Sequence, residues 1–340
     1  MDIRTDIPLK SYTTMKLGGP ARFMGEAQTP QDIATIYHNA RPKNLPIFIL
    51  GGGSNLIVRD EGYPGIVVRN LIKGFTVIED TPQYTTFEIG AGENWDETVK
   101  RTVELHLTGI EALSAIPGTV GAAPVQNIGA YGQEVADSLI SLQAYDSQED
   151  RFVVLQNIDC GFSYRHSIFR GEAEGRYVIT SVQLKLWKAN PTPPFYKALE
   201  EYFALYSITL FTPEAIRDAV IQIRKDKLPD PTLQPNTGSF FKNAIIEKWQ
   251  LEDLKPTYED IPFYDLGNGT YKIPTGWLIE RAGLKGKLLH GMRVHDKNCL
   301  VLINEAATGY SDLAAARDEI IATVRDTFRI MIEQEPLEIQ

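Results

Sequence analysis

Two glycine-rich segments constrain this chain more than anything else in it: Gly51 to Asn55 (GGGSN) and Ile116 to Gly132 (IPGTVGAAPVQNIGAYG). Neither suits the interior of a helix or strand, because glycine loses the most backbone freedom on ordering and offers no side chain to pack. What glycine permits is close approach of the backbone to something else. The first loop follows the apolar run LPIFIL, read as a buried strand, and Ser54 and Asn55 add polar groups, as a phosphate cradle requires. It is neither GxGxxG nor GK[ST], so neither Rossmann nor Walker chemistry is indicated, and a plain tight turn is the alternative. The second segment, with Gly118, Gly121, Gly129 and Gly132 beside Gln126 and Asn127, is too weakly periodic for a helix and reads as an irregular loop system. Together the loops suit a dinucleotide cofactor; a glycine-rich connection needed for close packing is the other reading.

Around these loops the pattern mixes strands and helices. Thr29-Pro30 opens a helix as N-cap and first-turn proline. LIVRD and GIVVRN read as short strands joined by a Gly-Tyr-Pro-Gly turn, and Asn94 caps a helix with Trp95, Val99 and Val103 at helical spacing. SLQAYD, RFVVLQ and YVITSVQLKLW read as strands, and the Pro-rich Asn190 to Tyr196 as a loop or lid base. Glu214 to Lys227 is an amphipathic helix with Ile216, Ala219, Val220 and Ile223 on one face, stopped by Pro229. A second compact region runs from about Asn236 to Gly309. Ser311 then opens a long helix through Leu313, Ile320, Val324 and Phe328, and FRIMIEQE alternates like a closing strand. There is no regular βαβ rhythm, so the expected class is α+β. At 340 residues the chain has room for two or three domains.

A net charge of -10 argues against non-specific binding to nucleic acid or anionic membrane, and leaves room for local basic sites that hold an anionic small molecule. The two cysteines, Cys160 and Cys299, form no CxxC pair, which excludes a disulfide framework and a cysteine zinc cluster and fits a reducing cytoplasm. The five histidines show no metal-binding spacing, so no metal is expected. MDIRTDIPLK lacks the apolar run of a signal peptide, and no apolar stretch is long enough to cross a bilayer.

The candidate chemistry lies in Asn236 to Asn243 (NTGSFFKN), where turn residues bring a hydroxyl, an ammonium and an amide together beside two anchoring aromatics. Ser239 there is a possible proton carrier; it is not in a GxSxG elbow. In FSYRHSIFR, Arg165 among aromatics is a candidate cation for a carboxylate or enolate, with a surface Arg on an amphipathic strand as the plain alternative. Arg224 and Lys227, one turn apart at a helix C-terminus, suit either the helix dipole or a phosphate. Glu333 and Glu335 read, by themselves, as a solvated tail.

Taken in order, TTMKLGGPA, LGGGSNLIVRD, GAGENW, IPGTVGAAPVQNIGAYG, YRHSIFR, KLPDP, NTGSFFKN, GWLIERAGLKG and LVLINE resemble the UDP-N-acetylenolpyruvoylglucosamine reductase family over nearly the whole chain, in its longer, type I form. That family is also called UDP-N-acetylmuramate dehydrogenase. The resemblance implies an FAD-binding region in two subdomains, of the vanillyl-alcohol oxidase and para-cresol methylhydroxylase type, followed by a C-terminal α/β substrate-binding domain. The boundaries it suggests are 1–70 with a return at 329–340, then 71–227, then 228–328. It implies non-covalent FAD held by Leu50, Gly51, Gly52, Gly53, Ser54, Asn55, Ile116, Pro117, Gly118, Gly121, Ala122, Gln126, Asn127, Gly129 and Ala130.

By the same resemblance, NADPH reduces the flavin, and hydride then passes to C3 of the enolpyruvyl group. Ser239 protonates C2, Arg165 offsets the enolate charge, and Glu335 assists as an acid. Tyr196 matches the flap tyrosine, and Arg224, Lys227, Asn243 and Asn298 match the substrate side. The implied protein is a cytoplasmic monomer that makes peptidoglycan precursors, with a nucleotide sugar and NADPH as its small-molecule partners. The chain departs from the family at Ala244, where many members carry proline and where a looser turn is expected. It also departs after Tyr196, where it reads YKAL, and at its early end, which lets Glu333 and Glu338 compete with Glu335. Another flavin oxidase or dehydrogenase of the same superfamily is the alternative reading, and a nucleotide-sugar binding protein without activity a further one.

Overall fold

The computed structural model describes residues 3–340 and divides into two compact units. The first takes the chain up to Ile7, Ala21–Gly52 and Pro64–Asp226; the second takes Pro8–Pro20, Gly53–Tyr63 and Lys227–Gln340.

In the first unit, one sheet runs in the order Ile3–Pro8, Pro20–Ala27, Tyr63–Asn70, Ile47–Leu50. Its last two strands are parallel, with Ile47 opposite Ile66 and Leu50 opposite Arg69. The helix Pro30–Ala40 lays Ile33, Ile36, Tyr37 and Ala40 against Ile66 and Val68. It starts where the sequence predicts, because Thr29 Oγ1 accepts from the Asp32 N–H and the Asp32 carboxylate answers to the Thr29 N–H.

A five-stranded antiparallel sheet follows, in the order Arg151–Gln156, Leu139–Asp146, Tyr177–Trp187, Tyr84–Gly90, Phe75–Asp80. Along Tyr177–Trp187, Val182, Leu184 and Leu186 are buried and alternate with the half-buried Ser181, Gln183 and Lys185. That alternation is the sequence pattern realised. The helix Trp95–Glu104 packs Trp95, Val99 and Val103 on this core, and its cap is Asn94, whose side chain accepts from the Glu97 N–H. Lys197–Leu205 and Pro213–Lys227 pair as helices through Leu199, Phe203, Ile216, Ala219, Val220 and Ile223.

The second unit buries Phe240, Phe241, Ile273, Leu278, Met292, Val294 and one face of the helix Tyr310–Phe328 in one core. Two small three-stranded sheets border it: Ala244–Glu247, Thr270–Ile273 and Tyr264–Asp265, and then Leu288–Leu289, Met292–Val294 and Leu302–Asn304. Leu337–Ile339 pairs in parallel with Leu56–Val58.

Several local expectations shift. The second glycine segment is not wholly irregular: Val120–Gln126 forms a 3-10 helix, and Gly129–Ala130 pairs with Gln133–Glu134. Between LIVRD and GIVVRN the chain turns earlier than expected, and Tyr63 and Pro64 already belong to the strand Tyr63–Asn70. The long helix opens at Tyr310 rather than Ser311, with Gly309 as N-cap. Asp60 supplies the missing acceptor, taking the N–H groups of Tyr310 (2.6 Å) and Ser311 (3.2 Å). FRIMIEQE keeps its alternation, with Ile330 and Ile332 buried and Met331 exposed, but forms only an isolated bridge, Phe241 to Gln334; the regular closing strand is Leu337–Ile339. Ala244 does not loosen its turn: its N–H donates to Thr275 Oγ1 at 2.9 Å, a bond that proline lacks.

Candidate active site

In the first unit the two glycine loops meet backbone to backbone. A Cβ on Gly52 would lie 2.8 Å from Gly118 Cα, and one on Gly51 would lie 2.8 Å from Thr119 Oγ1 and 3.2 Å from Ala122. The second loop is in turn stitched to GAGENW. Trp95 N–H donates to Gly118 O (3.1 Å), Val120 N–H to Glu93 O (2.9 Å) and Gly121 N–H to Ala91 O (2.8 Å). Gly121 has no room for a side chain, since its Cβ would come within 2.5 Å of Ala91 Cβ.

Further along this loop the side chains hold the loop itself. Asn127, fully buried at φ 45°, donates to Glu134 Oε2 (2.6 Å) and Ser163 O (3.2 Å) and accepts from the Ala136 N–H (3.2 Å). Gln126 Oε1 accepts from Arg170 (2.8 Å). Arg165 lies not on a strand but in a tight turn at φ 55°, where Ser163 and His166 exchange backbone hydrogen bonds. Its guanidinium donates to Gly129 O at 2.8 Å and lies 5.3 Å from the Tyr164 ring centroid, so it is seated on the second glycine loop.

Arg224 and Tyr196 also belong to this unit. The Tyr196 ring meets Tyr131 edge-on at 5.9 Å. Burial raises the Tyr131 phenol pKa and lowers that of the Arg224 guanidinium, and the two groups sense one another. Nearby, Arg217 grips both oxygens of Asp96 at 2.6 and 3.0 Å, and Asp96 also accepts from the Ala115 N–H. Burial alone would push the Asp96 carboxyl up; Arg217 and Ala115 more than reverse this, leaving it below the usual carboxylate range. Tyr131, Asp96 and Arg217 escaped the sequence reading. The one signal was that Arg217 and Arg224 stand at i and i+7, on one face of one helix.

In the second unit, NTGSFFKN is a built loop. Asn236 is buried; its amide donates to Gln234 O (2.7 Å) and Pro229 O (3.2 Å) and accepts from the Gly238 N–H (2.7 Å). Gly238 takes φ 71°, and the chain then delivers Ser239 into a bridge with Val301. Phe240 and Phe241 are buried and anchor the loop, and the Phe240 N–H donates to Leu300 O at 2.7 Å. Asn243 Oδ1 accepts from the Thr275 N–H, and Thr275 Oγ1 donates to Lys242 O. Asn298 shapes the neighbouring turn: its side chain accepts from Leu300 N–H, its carbonyl from Val301 N–H, and its own N–H donates to His295 Nδ1. Burial holds the His295 ring below the ordinary histidine value. Thr237 Oγ1 is buried without a partner among the described residues. Lys227 is exposed at the end of its helix.

The three C-terminal glutamates separate by their surroundings. Glu333 is exposed and meets Lys242 at 3.3 Å. Glu338 is held by Arg59 (2.7 Å), Arg317 (3.0 Å) and Tyr310 OH (2.8 Å). Glu335 borders the serine loop, with its N–H on Phe240 O at 2.8 Å. The tail of the first glycine loop reaches the same unit: Leu337 N–H donates to Asn55 O (3.0 Å), and Thr14 N–H to Gly53 O (3.1 Å). Among the described residues, no helix is long and apolar enough to cross a membrane.

The FAD binding domain family matches residues 22–153, and the C-terminal domain of UDP-N-acetylenolpyruvoylglucosamine reductase matches residues 230–339. The reductase of that name from Shewanella oneidensis is 40% identical over 328 residues, covering 96% of this chain and 94% of its own. The one from Dechloromonas aromatica is 37% identical over 340 residues, covering 99% of each. The crystal structure of the Thermus caldophilus enzyme superposes with a TM-score of 0.67 over the full length of both chains at 24% identity, a likeness of fold.

Proposed function

The chain belongs to the UDP-N-acetylenolpyruvoylglucosamine reductase family, and from that premise we propose how its residues carry out the NADPH-dependent reduction of UDP-N-acetylglucosamine enolpyruvate to UDP-N-acetylmuramate, a step towards peptidoglycan. The observation that carries the proposal is the pairing of Glu335 with Phe240, next to Ser239, in a chain whose two glycine loops interlock.

The residues of the loops fit FAD. Gly52 meets Gly118 backbone to backbone, and Gly51 brings bare backbone beside the Thr119 hydroxyl; backbone free of side chains next to a hydroxyl is the surface a pyrophosphate needs. Leu50 to Asn55, Ile116 to Gly118, Gly121, Ala122, Gln126, Gly129 and Ala130 would hold the cofactor non-covalently; Asn127, expected among them, is instead fully buried and braces the loop through Glu134, Ser163 and Ala136. The chemistry supplied by bound FAD is hydride transfer, from NADPH and then to C3 of the enolpyruvyl group.

The chain's own residues handle charge and protons. Arg165, steadied by Gly129 O, faces the negative charge that gathers on the substrate carboxylate as C2 becomes carbanionic. Ser239 donates its hydroxyl proton to C2. Glu335 assists as an acid at the developing enol. Lys227, Arg224 and Tyr196 hold the pyrophosphate, while Asn243 and Asn298 serve the nucleotide end. The functional division follows residues 1–70 with the return at 329–340, 71–227 for the rest of the FAD region, and 228–328 for the substrate; the C-terminal family match over 230–339 supports the start of the last. We place the reaction in the cytoplasm, in keeping with two buried free thiols, and take the monomer as the working unit.

Anaerobic mixing of the purified flavoprotein with NADPH tests the reading. Bleaching of the flavin, reversed by the enolpyruvyl sugar nucleotide, is expected. A flavin that NADPH leaves oxidised sinks the proposal.

A further inference from the structure

Glu335 lies in a stretch with no regular secondary structure, between Phe328 and Leu337. An extended segment has no internal hydrogen bonds, so its position is set by what it is tied to. Upstream, Lys242 N–H donates to Glu333 O (2.9 Å) and Glu335 N–H to Phe240 O (2.8 Å). Downstream, Leu337 N–H donates to Asn55 O and the chain joins Leu56–Val58. The two ladders run to different neighbours, and the crossover between them carries Glu335.

One side chain clamps that crossover. Arg317, on the helix Tyr310–Phe328, is 19% exposed, and its Nη1 donates to both Gln334 Oε1 (3.1 Å) and Glu338 Oε2 (3.0 Å). These acceptors bracket Glu335. Gln334 Nε2 also donates to Pro336 O at 2.9 Å, closing the backbone around it. Arg317 itself is steadied by Asp318 at 2.8 Å, and Glu338 by Arg59 and Tyr310. A guanidinium suits this task, since its donors keep a fixed planar geometry.

We propose that Arg317 is a positioning residue for the reduction: through Gln334 and Glu338 it sets Glu335 against the Ser239 loop. The inference rests on the role given to Glu335 above. It assigns Arg317 to the half-reaction that needs the proton and not to the half that consumes NADPH.

The test measures the two half-reactions separately in the flavin-loaded enzyme, with melting temperature and the substrate-induced change in the flavin spectrum recorded alongside. Arg317→Met and Gln334→Met should each slow flavin reoxidation by the enolpyruvyl substrate by up to about 100-fold, the cost of a misplacement near 1 Å. Reduction by NADPH should keep its wild-type rate. Combining Arg317→Met with Glu335→Gln should add nothing to the loss from Glu335→Gln alone, whereas a general structural role would multiply the two. Wild-type reoxidation in both methionine variants overturns the inference. So does a parallel fall of both half-reactions, or losses that multiply. If Arg317→Met does not fold, Gln334→Met decides by the same criteria. Wild-type reoxidation in Glu335→Gln alone would remove the role of Glu335 itself, a failure visible without any Arg317 variant.

Discussion

The backbone N–H of Glu335 donates to the carbonyl of Phe240 at 2.8 Å, and Phe240 directly follows Ser239. The end of the chain is thereby fixed to the loop that holds the proposed proton donor. Glu333 meets the same loop at Lys242, through its carbonyl and its carboxylate, and Glu338 is held by the Arg59, Arg317 and Tyr310 group.

If Ser239 supplies the proton, Ser239→Ala should separate the two halves of the reaction. Flavin reduction by NADPH should proceed at its normal rate. Reoxidation by the enolpyruvyl substrate should fall by roughly 100- to 10,000-fold, the usual contribution of a positioned acid. Stopped-flow absorbance of the flavin reads both. An unchanged reoxidation rate would remove Ser239 from the chemistry.

Gly52→Ala tests the interlock of the loops. Its Cβ would lie 2.8 Å from Gly118 Cα, a backbone atom that cannot swing away as a side chain can. The two loops must part, and the variant should purify with much less flavin per protein than wild type. The absorbance ratio of flavin to protein measures this; a full complement of flavin would show that the loops can separate without cost to the cofactor.

Thr86 carries a buried hydroxyl without a partner among the described residues, within the strand Tyr84–Gly90. Valine has nearly the same shape, favours a strand and leaves nothing unsatisfied. Thr86→Val should therefore stabilise the protein by about 1 kcal/mol and raise its melting temperature by a few degrees. A lower melting temperature would mean that the hydroxyl has a partner after all.

Asp146 gives a pH dependence of definite sign. Hydrogen bonds from Arg176 (2.6 and 3.1 Å) hold its carboxyl below the usual range, with the N–H groups of Glu149 and Gln148 adding to this. The folded pKa lies below the unfolded value of about 3.9, so the stabilisation is complete above that pH and is lost as pH falls through the folded pKa. Arg176→Met should lower the urea midpoint at pH 7, and the gap from wild type should close as the pH falls below about 4. A gap that is constant across this range would mean that the pair contributes through packing alone.

How much was legible in the sequence depended on how far apart the deciding groups lie along the chain. Thr29 and Asn94 cap their helices through partners three residues on, Asp32 and Glu97, and both starts were readable. The face of Pro213–Lys227 was readable because helical periodicity is local. By contrast, the start of the last helix was misplaced because its cap, Asp60, lies 250 residues away from Tyr310. The pairing of Arg217 with Asp96, 121 residues apart, left no local trace.

The sequence alone determined the α+β class, the two glycine loops, the serine loop and the family to which they belong, because each is written in contiguous residues with local physical requirements. Only the tertiary structure decided that Arg165 sits on Gly129, that the glycine loops touch at Gly52 and Gly118, and that Glu335 pairs with Phe240, the residue after Ser239, while Glu333 meets the same loop at Lys242. The reason is that a side chain's role depends on which partners reach it. A tail with glutamates at 333, 335 and 338 offers several candidates of similar chemistry, and the hydrogen bonds to Phe240, Lys242 and Arg317 give each its own surroundings only once the chain has folded back on itself.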